Sequence, residues 1–320
     1  MISFVAVIAI GGGGMLVWRL SGGGSGEAAA GEADASSLEA LKKGSLTDGD
    51  LAKVDPAALF YASFKALTTQ PVMHITMSSY QEKAEFDKNT PKYVWESGYD
   101  YRTKKWQLAW GSGDDDDGPV SYCDDNESHL YSFMSKKWLP VSRDDTMCAQ
   151  KSAYRYITDG VSAGGLTAEQ AEVWIRELRT EYEGLVNPGR VQPAEIDGRK
   201  YLRLVVDIKP TKRAGGLYIG GQSLMWSFKK TGLDPQAHPY SYTGGMGTGF
   251  HIEYLIDPKS LLPAYAEIEL TPMLGEDGKP RLENFDFSGW RVQYHLPGKM
   301  PELRTARPER PALDWPGTGN

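Results

Sequence analysis

The chain is poor in the residues that do chemistry. It holds five histidines in 320 residues, and none stands at the His-x-x-x-His spacing that turns two imidazoles to one helix face, so no metal centre is expected. The segment "GGQSLM" lacks the Gly-x-Ser-x-Gly pattern of a nucleophile elbow and does not join a strand to a helix. Glycines cluster in "GGMGTG" at 244–249 but lead into a strand pattern. A phosphate cradle needs a helix N-terminus there, so the cluster reads as a hinge. Basic residues never run longer than a pair and the net charge is −7, which excludes the basic face of a nucleic-acid binder. No internal repeat is found. No catalytic residue, metal, cofactor or nucleic-acid partner is therefore expected, and the chain is read as a protein without enzyme activity.

Long apolar runs are also scarce, with one exception. "MISFVAVIAIGGGGMLVW" holds 18 residues without a charge before Arg19, long enough to cross a hydrocarbon core. No basic residue precedes it, unlike a secretory signal. Residues 1–20 are read as a transmembrane or signal anchor; a cleaved signal or a start codon placed too late are the alternatives. Residues 21–37, "SGGGSGEAAAGEADASS", have the composition of a flexible, solvated linker. Cysteine is limited to Cys123 and Cys148. After an export signal, such a pair reads as a disulfide, contributing roughly 3–4 kcal/mol in the chain-entropy model; two unpaired core thiols are the alternative. The main domain, residues 38–304, is accordingly placed outside the cytoplasm, on a single-pass protein of the cell membrane. Residues 305–320 are Pro-rich and without periodicity, and read as a disordered tail.

What is abundant is alternation. Leu202, Leu204, Val206 and Ile208 alternate with polar or mixed residues, as do Ile252, Tyr254 and Ile256, then Trp290, Val292, Tyr294 and Leu296, and Trp106, Leu108 and Trp110. Period two with one apolar edge is the mark of antiparallel strands. About ten such strands are expected, with an Asp197-Gly198 turn joining two of them. Two stretches have helical period. The first starts at an Asp55-Pro56 cap and carries Phe60, Phe64 and Leu67 on one face. The second starts at a Thr167…Gln170 capping box. Ten strands span roughly 45–50 Å, and two helices about 10 Å wide cover less than half of that. The sheet must curl around the helices, close further, or use its uncovered face to hold something apolar. A two-sheet sandwich is the rival solution.

Two other segments ask for a role. Asp114–Asp117 are consecutive and flanked by glycines; a calcium loop wants alternating ligands, so the run reads as a solvated hairpin tip. The segment 211–249 is long for a connection, and its cluster Leu224, Met225, Trp226 and Phe228 is backed by Lys229 and Lys230. It is read as a lid over a cavity or a patch for the lipid interface; a satellite cluster pinning the loop is the alternative.

The order of these elements resembles a known superfamily. A helix runs into a strand in "SFKALTTQPVMHITMSS", an aromatic-rich meander includes "SHLYSFMSKKWLPV", and a hairpin "VQPAEIDGRKYLRLVVDI" precedes "YLIDPKSLLPAYAEIEL". This resembles the LolA/LppX/LprG-like lipoprotein carriers, whose fold is shared by periplasmic sensor domains of the RseB type. The resemblance spans about residues 55–300. It implies an α+β fold: a large curved antiparallel sheet, a half-open barrel, with amphipathic helices on its concave face. It also implies an apolar cavity for acyl chains. The residues expected around that ligand are Phe60, Phe64, Leu67, Trp106, Leu108, Leu204, Val206, Ile252 and Ile256. The partners expected are a lipid or other hydrophobic molecule, the membrane through the N-terminal helix, and, on a sensor-type alternative, an envelope protein. The chain departs from the pattern in its apolar N-terminus without a lipidation cysteine, its cysteine pair and its long 211–249 insertion.

Overall fold

The computed structural model describes residues 37–42, 47–112, 120–124, 127–141, 158–212, 218–235, 238–240, 247–283 and 285–305. The predicted anchor, the linker up to residue 36, the aspartate run, Cys148 and the tail beyond 305 lie outside the described residues. Among the described residues, no helix is long and apolar enough to cross a membrane. Cys123 is disulfide-bonded.

The strands are β1 (Val72–Tyr80), β2 (Tyr93–Asp100), β3 (Lys105–Ser112), β4 (Val120–Asp124), β5 (Glu127–Ser132), β6 (Lys137–Pro140), β7 (Val186–Ile196), β8 (Arg199–Ile208), β9 (Thr211–Lys212), β10 (Tyr218–Ile219), β11 (Gly249–Ile256), β12 (Pro263–Thr271) and β13 (Gly289–Tyr294). Eleven of them form one antiparallel sheet in the order β6-β5-β4-β3-β2-β1-β13-β12-β11-β8-β7. It does not close. The edge strand β7 carries Pro188 and Pro193, and β6 ends at Pro140. Proline cannot donate to a ladder, so edges are where a strand tolerates it.

The helices are α1 (Asp48–Leu51), α2 (Pro56–Thr68), α3 (Lys83–Asp87), α4 (Ala168–Arg179) and α5 (Gln222–Phe228). The expected caps are present. Asp55 accepts from the backbone N–H of Ala57 at 2.8 Å, and Thr167 and Gln170 close a reciprocal capping box. The Asp197-Gly198 turn has φ of +48° and +74°, the left-handed pair that a tight hairpin demands.

Alternation puts one continuous apolar row across the sheet. Trp110, Trp95, Met77, Val292, Ala266, Tyr254, Leu204 and Val191 are successive cross-strand partners from β3 to β7. Helices α2 and α4 pack on this face. At the centre of the packing, Trp174 is fully buried, 4.8 Å from the Phe64 ring and 5.0 Å from Phe228. Its indole N–H donates to Ser227 Oγ at 2.9 Å.

The segment 211–249 is not a plain loop. It holds the β9–β10 ribbon, α5 and a 3-10 turn over Lys229–Thr231. Gly249 rejoins the sheet where a Cβ would stand 2.2 Å from the Ile208 carbonyl oxygen. The last glycine of "GGMGTG" is therefore demanded by close backbone approach rather than by hinging.

Candidate functional site: an aromatic cleft on the helix-bearing face

The nine residues expected around a ligand all fall in one buried cluster. Phe60, Phe64 and Leu67 descend from α2, and Trp106, Leu108, Leu204, Val206, Ile252 and Ile256 rise from the sheet. The Phe60 and Phe64 rings stack at 5.7 Å and Phe60 reaches Tyr254 at 6.5 Å. Open space lies next to this cluster, at the end of the sheet where β1 finishes and β2 and β13 begin.

That space is a cleft of about 400 Å³. Its walls are Met77, Tyr93, Trp95, Trp110 and Trp290, with Ser79, Tyr80, Gln81, Thr158, Asp159 and Ser288 around them. Period two explains the walls: Met77, Trp95 and Trp110 are register partners on the core face. The Tyr93 ring stands edge-on to Trp110 at 5.8 Å, and Trp95 lies 6.3 Å away. Trp110 was legible in the sequence as a core-face aromatic. Trp290 sat in a strand pattern too, but only the register shows that Tyr93, Trp95 and Trp290 meet where three strands end around a gap.

Asp159 is the carboxylate at this cleft, and its hydrogen bonds are already committed. Oδ1 accepts from the backbone N–H of Val161 at 2.8 Å and of Ser162 at 2.7 Å. Oδ2 accepts from Ser162 Oγ and from the Tyr294 hydroxyl, both at 2.7 Å. Burial, with Asp159 beside it, holds the Tyr294 phenol well above its ordinary range. Gly160–Gly164, "GVSAG", has the letters of a nucleophile elbow. Ser162 is nevertheless fully buried, donates to a carboxylate, and lies in irregular chain leading to α4 rather than in a strand–turn–helix. An elbow serine must be exposed beside a base, so the motif is no nucleophile elbow.

The segment expected as a lid splits by burial. Leu224 and Phe228 are in the main core, while Met225 and Trp226 are partly exposed. Trp226 lines a second cleft of about 250 Å³ with Glu177, Glu181, Tyr182, Ile219 and Lys230.

On the opposite face, strand pairing assembles what sequence spacing hid. His74, Glu96 and His295 come from β1, β2 and the residue after β13, with ligand-type atoms within 4.8 Å of one another. His74 Nε2 lies 2.8 Å from Glu96 Oε1, and His295 Nε2 lies 2.8 Å from Thr76 Oγ1. These are ligand types for a divalent cation. Arg304, however, already pairs with the carboxylate, its Nε 2.8 Å from Glu96 Oε2. Burial alone would raise Glu96, but the His74 hydrogen bond and the Arg304 charge hold it below the usual carboxylate range. Burial, helped by His74, pushes His295 down to about 4. The cluster is thus balanced as a Glu–Arg ion pair beside imidazoles.

No protein-family model and no curated protein matches the chain. Solved structures of the group that the element order resembles do match it. The Mycobacterium tuberculosis lipoprotein LppX is 13% identical, with 80% of this chain and all of LppX covered and a TM-score of 0.36. LprF from Mycobacterium bovis is 9% identical over 78% of this chain and 96% of its own, with a TM-score of 0.39. MucB, solved in complex with MucA, is 11% identical over 75% of this chain and 54% of its own, with a TM-score of 0.27. At such scores the likeness decides nothing about function, which has to come from the chain's own cleft.

Proposed function

We propose that this chain is a membrane-anchored extracytoplasmic binding protein that holds a lipid or other hydrophobic ligand and performs no chemistry on it. The observation that carries the reading is the cleft of about 400 Å³ walled by Met77, Tyr93, Trp95, Trp110 and Trp290. That volume lies in the range of small-molecule sites. Burying a methylene contributes about 0.8 kcal/mol, and micromolar affinity requires about 8 kcal/mol, or roughly ten methylenes. At about 30 Å³ each, the share of one water, these fill roughly 300 Å³, which the cleft accommodates. Asp159, with its acceptor sites occupied, supplies a polar end and no free base.

The wider arrangement follows from the sequence. Residues 1–20 anchor the chain, 21–37 tether it, 38–304 form a half-open barrel, and 305–320 trail from it. The cluster of Phe60, Phe64, Leu67, Trp106, Leu108, Leu204, Val206, Ile252 and Ile256 is the apolar bed into which a longer chain would extend. Helix α5, with Leu224, Met225, Trp226 and Phe228, would act as a lid by lifting off Trp174.

Mass spectrometry of the exported protein under native and then denaturing conditions tests the reading. A discrete extra mass that partitions into organic solvent is expected. Trp110→Ala and Trp290→Ala, both at partly exposed positions, should weaken binding of that molecule at least about tenfold, the effect of about 1.4 kcal/mol. A bare mass, with no uptake of added lipid, would favour the sensor reading, in which the domain binds an envelope protein instead.

A further inference from the structure

The described surface carries its exposed apolar side chains unevenly. Of the seven most exposed large apolar residues, four lie in the β5–β6 hairpin: Leu130, Phe133, Met134 and Leu139, with Met134 fully exposed. Phe133 and Met134 form the tip, followed by Lys136 and Lys137, both exposed. Tyr131 and Trp138 stand behind the tip as a cross-strand pair, their rings edge-on at 5.3 Å. The sequence is biased in the same place. The chain has 42 acidic residues, yet Ser128–Arg143 has none and carries Lys136, Lys137 and Arg143.

We propose that the β5–β6 hairpin is a membrane-docking tip that inserts Phe133 and Met134 into an anionic lipid bilayer while Lys136 and Lys137 hold the headgroup phosphates. An apolar tip ringed by Trp, Tyr and Lys is the chemistry of the bilayer interface: apolar ends go below the headgroups, and amphipathic rings and ammonium groups stay level with them. A loop tip kept for solubility alone would not expose Met134. Antiparallel pairing also fixes where the tip points. Strands β1, β3 and β5 run in one direction, so the tip after Ser132 lies at the same end of the sheet as Ser79, Gln81, Tyr93 and Trp110 of the cleft. A tip seated in lipid brings that end toward the membrane. The acidic run Asp114–Asp117 lies in the β3–β4 connection, outside the described residues. The proposal holds whether or not the cleft carries a ligand.

The test uses the full chain with an environment-sensitive fluorophore on Met134→Cys, reconstituted into vesicles of equal parts phosphatidylglycerol and phosphatidylcholine. A second label at Lys259→Cys, exposed at the opposite end of the sheet, is the control. The tip label is expected to shift to the blue and to be quenched by nitroxide-bearing lipid, and the control label is not. Lys136→Gln with Lys137→Gln should lower the inserted-to-free ratio of the tip roughly 30-fold, as expected for two lysines lost from an anionic surface. A tip label that stays in water on these vesicles overturns the proposal. So does one that responds equally on pure phosphatidylcholine, or one shielded only in native membranes, which would mark a protein partner.

Discussion

Two half-buried groups on the sheet's outer face titrate in opposite senses. His295 faces His74, Glu96, Arg304 and Thr76, and burial pushes it down to about 4. Its unfolded value is near 6.5, so the stability linked to its neutral form is present above that pH and is lost as pH falls toward 4. Glu267 accepts from Arg291 Nε at 2.7 Å and also faces Glu253 and Glu269; burial pushes it up to about 7. A raised carboxylate works the other way: its contribution is full below about 4.5 and is lost as pH rises through about 7. Between pH 4.5 and 6.5 the two slopes oppose each other. Wild-type stability should therefore vary little there on their account. Glu267→Gln should leave stability rising with pH across this window, by up to about 1.4 kcal/mol per unit before allowance for solvent screening. His295→Gln should leave it falling with pH, at the slope that Glu267 alone sets. Urea midpoints measured every half unit would check this, and parallel profiles for both variants would refute it. None of this was legible in the sequence, where no histidine stands at a ligand spacing from another. Register alone brings His74 and His295, more than 200 positions apart, to within 4.8 Å of one carboxylate.

At the scale of elements, local chemistry was readable where it repeats. The Asp55-Pro56 start, the Thr167…Gln170 box and the Asp197-Gly198 turn depend only on neighbouring residues, and each is where the sequence puts it. The insertion was harder to read. Its helix α5 has seven residues, too few for a clear period, although Leu224 and Phe228 stand four apart and both face the core. What holds α5 down is a tertiary bond that local pattern cannot show: Ser227 Oγ accepts the indole N–H of Trp174 from α4. Ser227→Ala removes that acceptor and leaves a buried donor unmet, at a cost of about 1–3 kcal/mol. Chemical denaturation should show a lower midpoint with an unchanged slope. If α5 is a lid, the same change should also speed ligand release, because the contact that closes it is the one weakened.

For the whole molecule, the sheet order explains what the linear pattern left open. Eight of the ten strand pairings join strands consecutive in sequence; the exceptions are β1–β13 and β8–β11. Hairpins are legible because turn and alternation lie together, whereas these two pairings close over long stretches of chain. The β1–β13 ladder matters most. It joins the β1–β6 meander to the C-terminal strands, and Ile75 opposite Tyr294 and Met77 opposite Val292 carry the apolar row across it. A chain ending at Ser288 keeps all but one strand of the sheet, yet it lacks the strand between β1 and β12. Both would then expose unpaired backbone in the interior of the sheet rather than at a proline-bearing edge. Such a chain is expected to lose cooperative unfolding altogether. A chain ending at Thr305 keeps β13 and the Arg304–Glu96 pair, and should unfold at the full-length midpoint. Thermal unfolding followed by near-ultraviolet circular dichroism separates the two. A cooperative transition in the shorter chain would mean that β1 and β12 can rejoin without β13, and that the two halves of the sheet are independently stable.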